Sequence, residues 1–263
     1  MKHAQNLMTI VSLLTLAAAA SARAEDNQNF VAAGVGATPE YEGSSAQQVI
    51  PFVSARVNFG ERYVSLDGLT ARANLSPFKG AEFGPVIGYR FGRDSDVDNA
   101  LVALLPQVDD AYEAGAFAAF QSGPLFARGD SIKLSVEALH DVSGTHNSWT
   151  VTPALGYAAP VSERLRANVE LSATIAGGEY ADTYFSISAP AAAASGLGAF
   201  DAAGGVKDVG ASFQWTYAVS RNWSITGFTS YRRLIGDTAD SPIVSEAGDE
   251  NQVTVGLGIG RSF

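Results

Sequence analysis

Residues 164–175 read RLRANVELSATI, and this stretch decides the fold class of the chain. Apolar and polar residues alternate through it without a break. Leu165 and Val169 belong to one face, and Arg166 and Glu170 belong to the other. A period of two residues is that of a β-strand, because successive side chains of a strand point to opposite faces.

The same alternation recurs along the rest of the sequence. It is clean in residues 82–92, 148–159 and 208–219. Further runs with the pattern cover residues 29–37, 48–59, 62–75, 111–121, 131–140, 222–233 and 251–263. Helical spacing fits none of these stretches well, so the sequence predicts an all-β fold.

The composition of the two faces indicates which solvent each face meets. One face of the runs is apolar, whereas the other is mostly Gly, Ser, Thr, Asn, Gln and Ala with scattered Arg and Glu. Aromatic residues stand near the strand ends on the apolar face: Tyr89, Phe91, Trp149, Tyr157, Trp223 and Tyr231. These features predict a transmembrane antiparallel β-barrel with an outward apolar band and a polar interior. A secreted soluble β-sandwich is the alternative.

The N-terminal residues predict export from the cytoplasm. Lys2 begins a short polar segment, an apolar run extends from Leu7 to Ala20, and Ala22-Arg23-Ala24 matches the small-x-small cleavage pattern. We therefore expect residues 1–24 to be a cleaved signal peptide and residues 25–263 to be the barrel.

Composition excludes several classes of protein. The chain has 263 residues, no cysteine and a formal net charge of −10. Without cysteine there is no disulfide scaffold, thiolate zinc site or cysteine nucleophile. The acidic balance argues against a nucleic-acid partner, since nucleic acid binds to basic surfaces. No cofactor motif is present either, so none is expected.

Connection lengths predict the topology. Outer-membrane barrels have short periplasmic turns and longer outer loops. Short connections lie at residues 60–61, 159–163 and 220–222. The long connections cover residues 38–47, 93–110, 176–206 and 234–250. Periplasmic termini require an even number of strands. Dividing 62–75 at Asp67-Gly68, a favoured turn pair, gives twelve, and a barrel of ten strands is the alternative.

Charged residues on the predicted inner face are candidates for lining the lumen. They are Arg56, Glu82, Arg90, Glu113, Glu137, Arg164, Arg166 and Glu170. Buried charges must be paired or hydrated. They therefore indicate either an internal network of ion pairs that closes the barrel or a constricted, charge-lined pore.

Two short patterns resemble sites of chemistry. In His146-Asn147-Ser148, residues two apart on a strand share a face, so the imidazole of His146 would lie where it can activate the Ser148 hydroxyl. This arrangement resembles that of outer-membrane lipid hydrolases. Asp94, Asp96 and Asp98 are spaced as in calcium loops, but the glycine and glutamate of such loops are missing. We expect no catalytic residue and no metal site, and interpret the aspartates as part of a solvated outer loop.

Several segments together resemble the MltA-interacting protein (MipA/OmpV) family of Gram-negative outer membranes. They run through nearly all of the sequence after the signal peptide, and residues 233–244 form the most specific of them. The loop residues that carry the resemblance are Tyr41, Glu42, Gly43, Arg93, Asp94, His146, Asp237, Asp240, Ser241 and Pro242.

The resemblance implies a non-catalytic envelope protein. The family's namesake joins a lytic transglycosylase to a penicillin-binding protein, so that murein cutting and synthesis are coupled. The implied protein is a monomer in the outer membrane, in contact with lipid and lipopolysaccharide. The alternatives are a narrow channel for small solutes, an adhesin, and a lipid hydrolase that uses His146 and Ser148.

Overall fold

The computed structural model describes residues 28–263, and the signal peptide predicted over residues 1–24 lies outside the described residues. Twelve antiparallel strands form one closed barrel, because the last strand pairs with the first. This confirms the transmembrane-barrel architecture with twelve strands rather than ten. No helix within residues 28–263 is long and apolar enough to span a membrane.

The strands agree with the alternating runs of the sequence. In chain order they are β1 Phe30–Pro39, β2 Gln47–Phe59, β3 Arg62–Asp67, β4 Thr70–Asn74, β5 Ala81–Arg90, β6 Ala111–Ser122, β7 Ser131–Asp141, β8 Trp149–Pro160, β9 Leu165–Ala176, β10 Gly205–Ala218, β11 Trp223–Leu234 and β12 Asn251–Ser262. Each strand pairs with its two neighbours in the closed order. Long connections follow β1, β5, β9 and β11, and they form the extracellular end.

The outer surface is the apolar face of the runs. Val35, Ile87, Leu171 and Ile259 are all exposed there, as the lipid-facing band of a membrane barrel requires. The band ends in aromatic side chains on both sides. Exposed members are Tyr112, Trp149 and Tyr231 at the extracellular end and Phe83, Phe120 and Trp223 at the periplasmic end.

Glycines on the inner face let aromatic rings pack closely against the wall. A Cβ atom added at Gly256 would lie 2.3 Å from the Phe228 ring, and one added at Gly34 would lie 2.6 Å from the Phe52 ring. The two rings meet edge to face with centroids 5.4 Å apart. The glycine-rich seam between β1 and β12 is therefore packed from within by side chains of the neighbouring strands.

The third and fourth strands form a short hairpin. They contain 6 and 5 residues, whereas β2 has 13 and β5 has 10. The hairpin turns at Gly68, whose φ of 59° suits glycine. This confirms the division of residues 62–75 into two strands, neither of which is long enough to cross the membrane alone.

The extracellular loops contain short helices that fold inward. They are a 3₁₀ turn at Val102–Leu104, α1 at Gly178–Phe185, α2 at Ala189–Ser195, α3 at Asp237–Asp240 and α4 at Pro242–Ser245. Local sequence sets their limits. Ser188 accepts a hydrogen bond from the N–H of Ala191 at the start of α2, and Gly196 ends the helix at a φ of 83°.

Candidate functional site

The barrel encloses a cavity of about 820 Å³. Its wall runs from Phe30 and Ser262 at the periplasmic end to Glu42 and Gln252 beneath the extracellular loops. Hydroxyl, amide, charged and aromatic side chains line it. The volume falls in the range of roughly 300–1,000 Å³ that is usual for ligand sites.

The lumen-lining candidates divide into those the barrel encloses and those it does not. Arg56, Glu82, Arg90, Glu113, Glu137 and Glu170 lie on the inner face of their strands. Arg164 lies in the turn before β9. Arg166 is on the inner face of β9, like Glu170, but it is exposed at the periplasmic opening. The enclosed charges are arranged in layers.

The periplasmic layer surrounds Glu82. Lys133 Nζ donates to Glu82 Oε2 at 2.5 Å, and the Tyr63 hydroxyl donates to the same oxygen at 2.8 Å. The guanidinium of Arg56 stacks on the Tyr63 ring at 3.6 Å from its centroid. Each charge in this layer is thus balanced by an opposite charge or by an aromatic face.

The middle layer is centred on Arg72. Its Nε donates to Glu137 Oε2 at 2.6 Å, and its Nη1 lies 3.8 Å from Asp67 Oδ2. These contacts connect the short β4 to β7, which lies three strands further along the wall. They therefore anchor the short hairpin to a full-length strand.

The upper layer joins Arg90, Glu113 and His146. Arg90 donates from Nε and Nη2 to the two oxygens of Glu113, both at 3.1 Å. His146 Nε2 lies 3.3 Å from Glu113 Oε1, and the imidazole is fully buried. The layer forms the floor of the extracellular loops.

Sequence reasoning missed three cations of this network: Arg72, Lys133 and Lys207. Lys133 shares the parity of Glu137 in the same run, so the alternation itself could have identified it. Around Arg72 the alternation of inner and outer residues is interrupted by the hairpin turn between β3 and β4. Lys207 lies within a register shift between Val206 and Asp208, which a strict two-residue period cannot anticipate.

The extracellular loops form a cap, which we define as residues 40–46, 91–110, 142–148, 177–204 and 235–250. At its centre is the fully buried Tyr180 of α1. Its hydroxyl donates to the carboxylate of Glu42, which also accepts from Lys207 Nζ. Burial opposes ionisation of Glu42. The charges of Lys207, Arg90 and Arg232 outweigh that effect and lower the pKa of this carboxyl to about 2.

Apolar packing fixes the cap in two clusters. One cluster contains Tyr41, Val102, Leu105, Ile187, Ala191, Leu197, Ile243 and Ala247. The other contains Ala176, Tyr180, Ala181, Tyr184, Phe185, Ala202, Leu234 and Val244. Because the clusters combine residues from several loops, the cap is a packed unit that covers the extracellular end of the lumen.

The loop residues that carry the family resemblance lie in or beside the cap. Arg93 Nη1 donates to the Tyr184 carbonyl at 3.0 Å, and the buried Ser241 hydroxyl donates to the Phe185 carbonyl at 2.6 Å. Asp237 Oδ2 accepts from the Ala203 N–H at 2.8 Å.

The remaining family residues have structural contacts as well. Gly43 packs against Val244, and a Cβ atom there would lie 2.6 Å from Val244 Cγ2. Pro242 is buried at the start of α4, and the Asp240 carbonyl accepts from the Ser245 hydroxyl at 3.3 Å. Asp94 Oδ1 accepts from the Asp96 N–H at 2.9 Å in an exposed turn. These residues thus support the folding of the loops.

His146 and Ser148 do not have the geometry of a nucleophile and its base. The backbone N–H of Ser148, rather than its hydroxyl, contacts His146 Nδ1 at 3.2 Å. Because Nδ1 accepts that bond, Nε2 donates toward Glu113. Both residues are buried within the cap. Within residues 28–263 no group of three or more His, Asp or Glu side chains has the arrangement of a metal site.

The closed antiparallel sheet, its apolar outer band and its charged lumen define an outer-membrane β-barrel of a Gram-negative bacterium. The family model described as "MltA-interacting protein MipA" matches residues 31–263. The chain therefore belongs to the MipA family.

Solved structures similar to the chain include the NanC porin, with 7% identity, a TM-score of 0.48, and coverage of 89% of this chain and 100% of that one. An outer-membrane channel from Pseudomonas putida F1 has 12% identity and a TM-score of 0.44, with coverage of 92% and 100%. No curated protein matches the chain.

Proposed function

We propose that this barrel is a non-enzymatic scaffold of the outer membrane that binds a lytic transglycosylase through its periplasmic end. Through that enzyme it would join a penicillin-binding protein and couple murein cutting to murein synthesis. The observation that carries the proposal is the packed cap. Tyr180, Glu42 and Lys207 close the extracellular end, which favours a structural role over free passage of solutes.

The periplasmic end offers a surface suited to a protein partner. The turn at 123–130 is held by Asp130, whose carboxylate accepts from the N–H groups of Leu125, Phe126 and Ala127 at 2.7, 2.8 and 2.9 Å. These donors overcome the cost of desolvation and lower the pKa of Asp130 to about 2. Leu125 and Phe126 remain exposed on this ordered turn. A rigid loop that presents apolar side chains is a favourable place for a partner to bind.

A binding assay tests the scaffold. The purified barrel is immobilised, and capture of a purified membrane-bound lytic transglycosylase is measured. Leu125→Ser is compared with Leu104→Ser, since both leucines are exposed but lie at opposite ends of the barrel. We expect Leu125→Ser to weaken capture and Leu104→Ser to leave it unchanged. Failure of the unaltered barrel to capture the enzyme would count against the scaffold.

A narrow channel is the second candidate, and the cavity of about 820 Å³ is the observation that favours it. A channel requires the cap to open. Conductance in planar bilayers separates the two functions: stable unitary currents favour transport, whereas a closed barrel gives none. In either role the protein is expected to be a monomer in contact with lipid and lipopolysaccharide.

A further inference from the structure

The short hairpin leaves a window in the wall of the barrel. The β2–β3 ladder ends where Gly68 N donates to Val53 O at 3.0 Å. The β4–β5 ladder ends where Tyr89 N donates to Leu69 O at 3.0 Å. Above these bonds, the extracellular parts of β2 and β5 face each other without pairing. We define the lateral window as residues 47–53, 67–70 and 88–91.

Strand geometry gives the scale of this window. Strands β2 and β5 are separated by β3 and β4, so three strand spacings place them roughly 14 Å apart at the hairpin tip. The cap closes its extracellular end, where the Asp98 N–H donates to Glu40 Oε2 at 3.1 Å and joins two loops. The opening is therefore directed sideways.

The sequence of β2 is suited to an unpaired edge. The N–H and C=O groups of every second residue point to the same edge of a strand. The C=O of Val53 faces the hairpin, so the backbone groups of Pro51 and Val49 face the window. Because proline lacks a backbone N–H, Pro51 leaves no unpaired donor at this edge. A proline is thus placed where the hairpin ends and the ladder stops.

The window connects lipid to the lumen. Val49 and Ile87, which flank it on the outside, are 78% and 60% exposed and belong to the lipid-facing band. On the inside, Ile50, Phe52 and Leu69 line the cavity. These side chains give the path from the lipid-facing surface into the barrel an apolar side, and the Asp67 carboxylate at the hairpin tip lies 3.8 Å from Arg72 Nη1.

The cavity also contains an accessible cation. Among the basic residues that line it, Arg90 and Lys207 form ion pairs with carboxylates. Arg232 on the inner face of β11 is exposed, although its charge also stabilises the Glu42 carboxylate. Its guanidinium can bind a carboxylate or a phosphate. Apolar rings near the window combined with a cation deeper inside suit a molecule with an apolar tail and an anionic head.

We propose that the lateral window admits single-chain anionic amphiphiles from the membrane into the cavity, where Arg232 binds the head group and the apolar lining near Phe52 receives the chain. A long-chain carboxylate is the simplest member of this class. The site is independent of the periplasmic turns assigned to the scaffold.

Fluorescence quenching tests the site. The chain has no cysteine, so Thr152→Cys provides a single labelling position inside the lumen, behind a continuous part of the wall. A bimane label there is monitored in phosphatidylcholine vesicles that contain dibrominated stearate or its uncharged methyl ester. We expect quenching by the stearate and much less by the ester. Absence of quenching by the stearate would overturn the proposal.

The head-group contact is tested by Arg232→Gln in the labelled protein. Loss of a charge-assisted hydrogen bond is expected to weaken apparent binding of the stearate about tenfold. The control is Arg221→Gln, which removes a charge from an exposed periplasmic turn. Equal binding by both variants would remove Arg232 from the site.

The route is tested by closing the window. Two residues added to each strand at the tip of the hairpin, together with Pro51→Val, extend the ladder toward the cap. The control has the same four residues inserted between Gly60 and Glu61. We expect only the closed variant to lose quenching, and equal quenching in both would show access from the periplasm. Heat-modifiable migration verifies folding, and Leu69→Trp is the alternative block if the extension does not fold.

Discussion

Tyr180 donates a hydrogen bond to Glu42 across 138 residues of the chain, and this contact connects the loop after β1 to the helix that fills the mouth of the barrel. The same carboxylate accepts from Lys207 on the wall. Glu42 therefore ties together two parts of the cap and the strand beneath them.

Removing the Tyr180 hydroxyl should loosen the cap. Tyr180→Phe keeps the ring but leaves Glu42 with one fewer donor, and we expect a loss of about 1–2 kcal/mol in the stability of the closed cap. Limited proteolysis of the extracellular loops measures this change. Tyr217→Phe, on the outer face of β10, is the control. Equal cleavage of both variants would contradict the central role of Tyr180.

Acid should open the cap through Glu42. Its pKa is about 2 in the folded protein, below its ordinary value of 4.5. The stabilisation is therefore complete above about pH 4.5 and is lost as the pH falls toward 2. Conductance recorded as a function of pH follows this opening. In Glu42→Gln this acid-induced rise in conductance should disappear. If the rise is unaltered in that variant, another group causes the opening.

Filling the glycine seam should destabilise the barrel. A methyl group at Gly256 would lie 2.3 Å from the Phe228 ring, whereas one at Gly178 meets nothing within 4 Å. We expect Gly256→Ala to lower the free energy of unfolding by about 1–3 kcal/mol and Gly178→Ala to leave it nearly unchanged. The urea dependence of heat-modifiable migration reports the difference. Similar midpoints would show that the ring moves aside freely.

The ion pair between Arg72 and Glu137 should contribute to anchoring of the hairpin. Arg72→Met leaves the carboxylate of Glu137 without its closest cation, and the double change Arg72→Met with Glu137→Leu removes that uncompensated charge. Because both side chains are partly exposed, we expect the single change to cost about 1–2 kcal/mol and the double change less. A double-mutant cycle measures the coupling. Additive effects would indicate that the pair contributes little.

The alternation in residues 164–175 was sufficient to predict strand β9, and similar runs predicted most of the wall. Asp67-Gly68 correctly marked the hairpin that makes the strand number even. The cap could not be predicted in this way. Its contacts, such as that of Glu42 with Tyr180, depend on loops that are distant in sequence and have no common period. The position of Lys207 depends on a bulge that shifts the inner face by one residue.

The pairing of β1 with β12 also has a consequence for how the barrel can form. Closure joins Phe30 to Ser262, so the outer edges of the first and last strands find their partner within the chain only when β12 is in place. The cap contacts of Glu42 with Lys207 span 165 residues and require the wall to position them. We therefore expect the barrel to close before the contacts of the cap form above it.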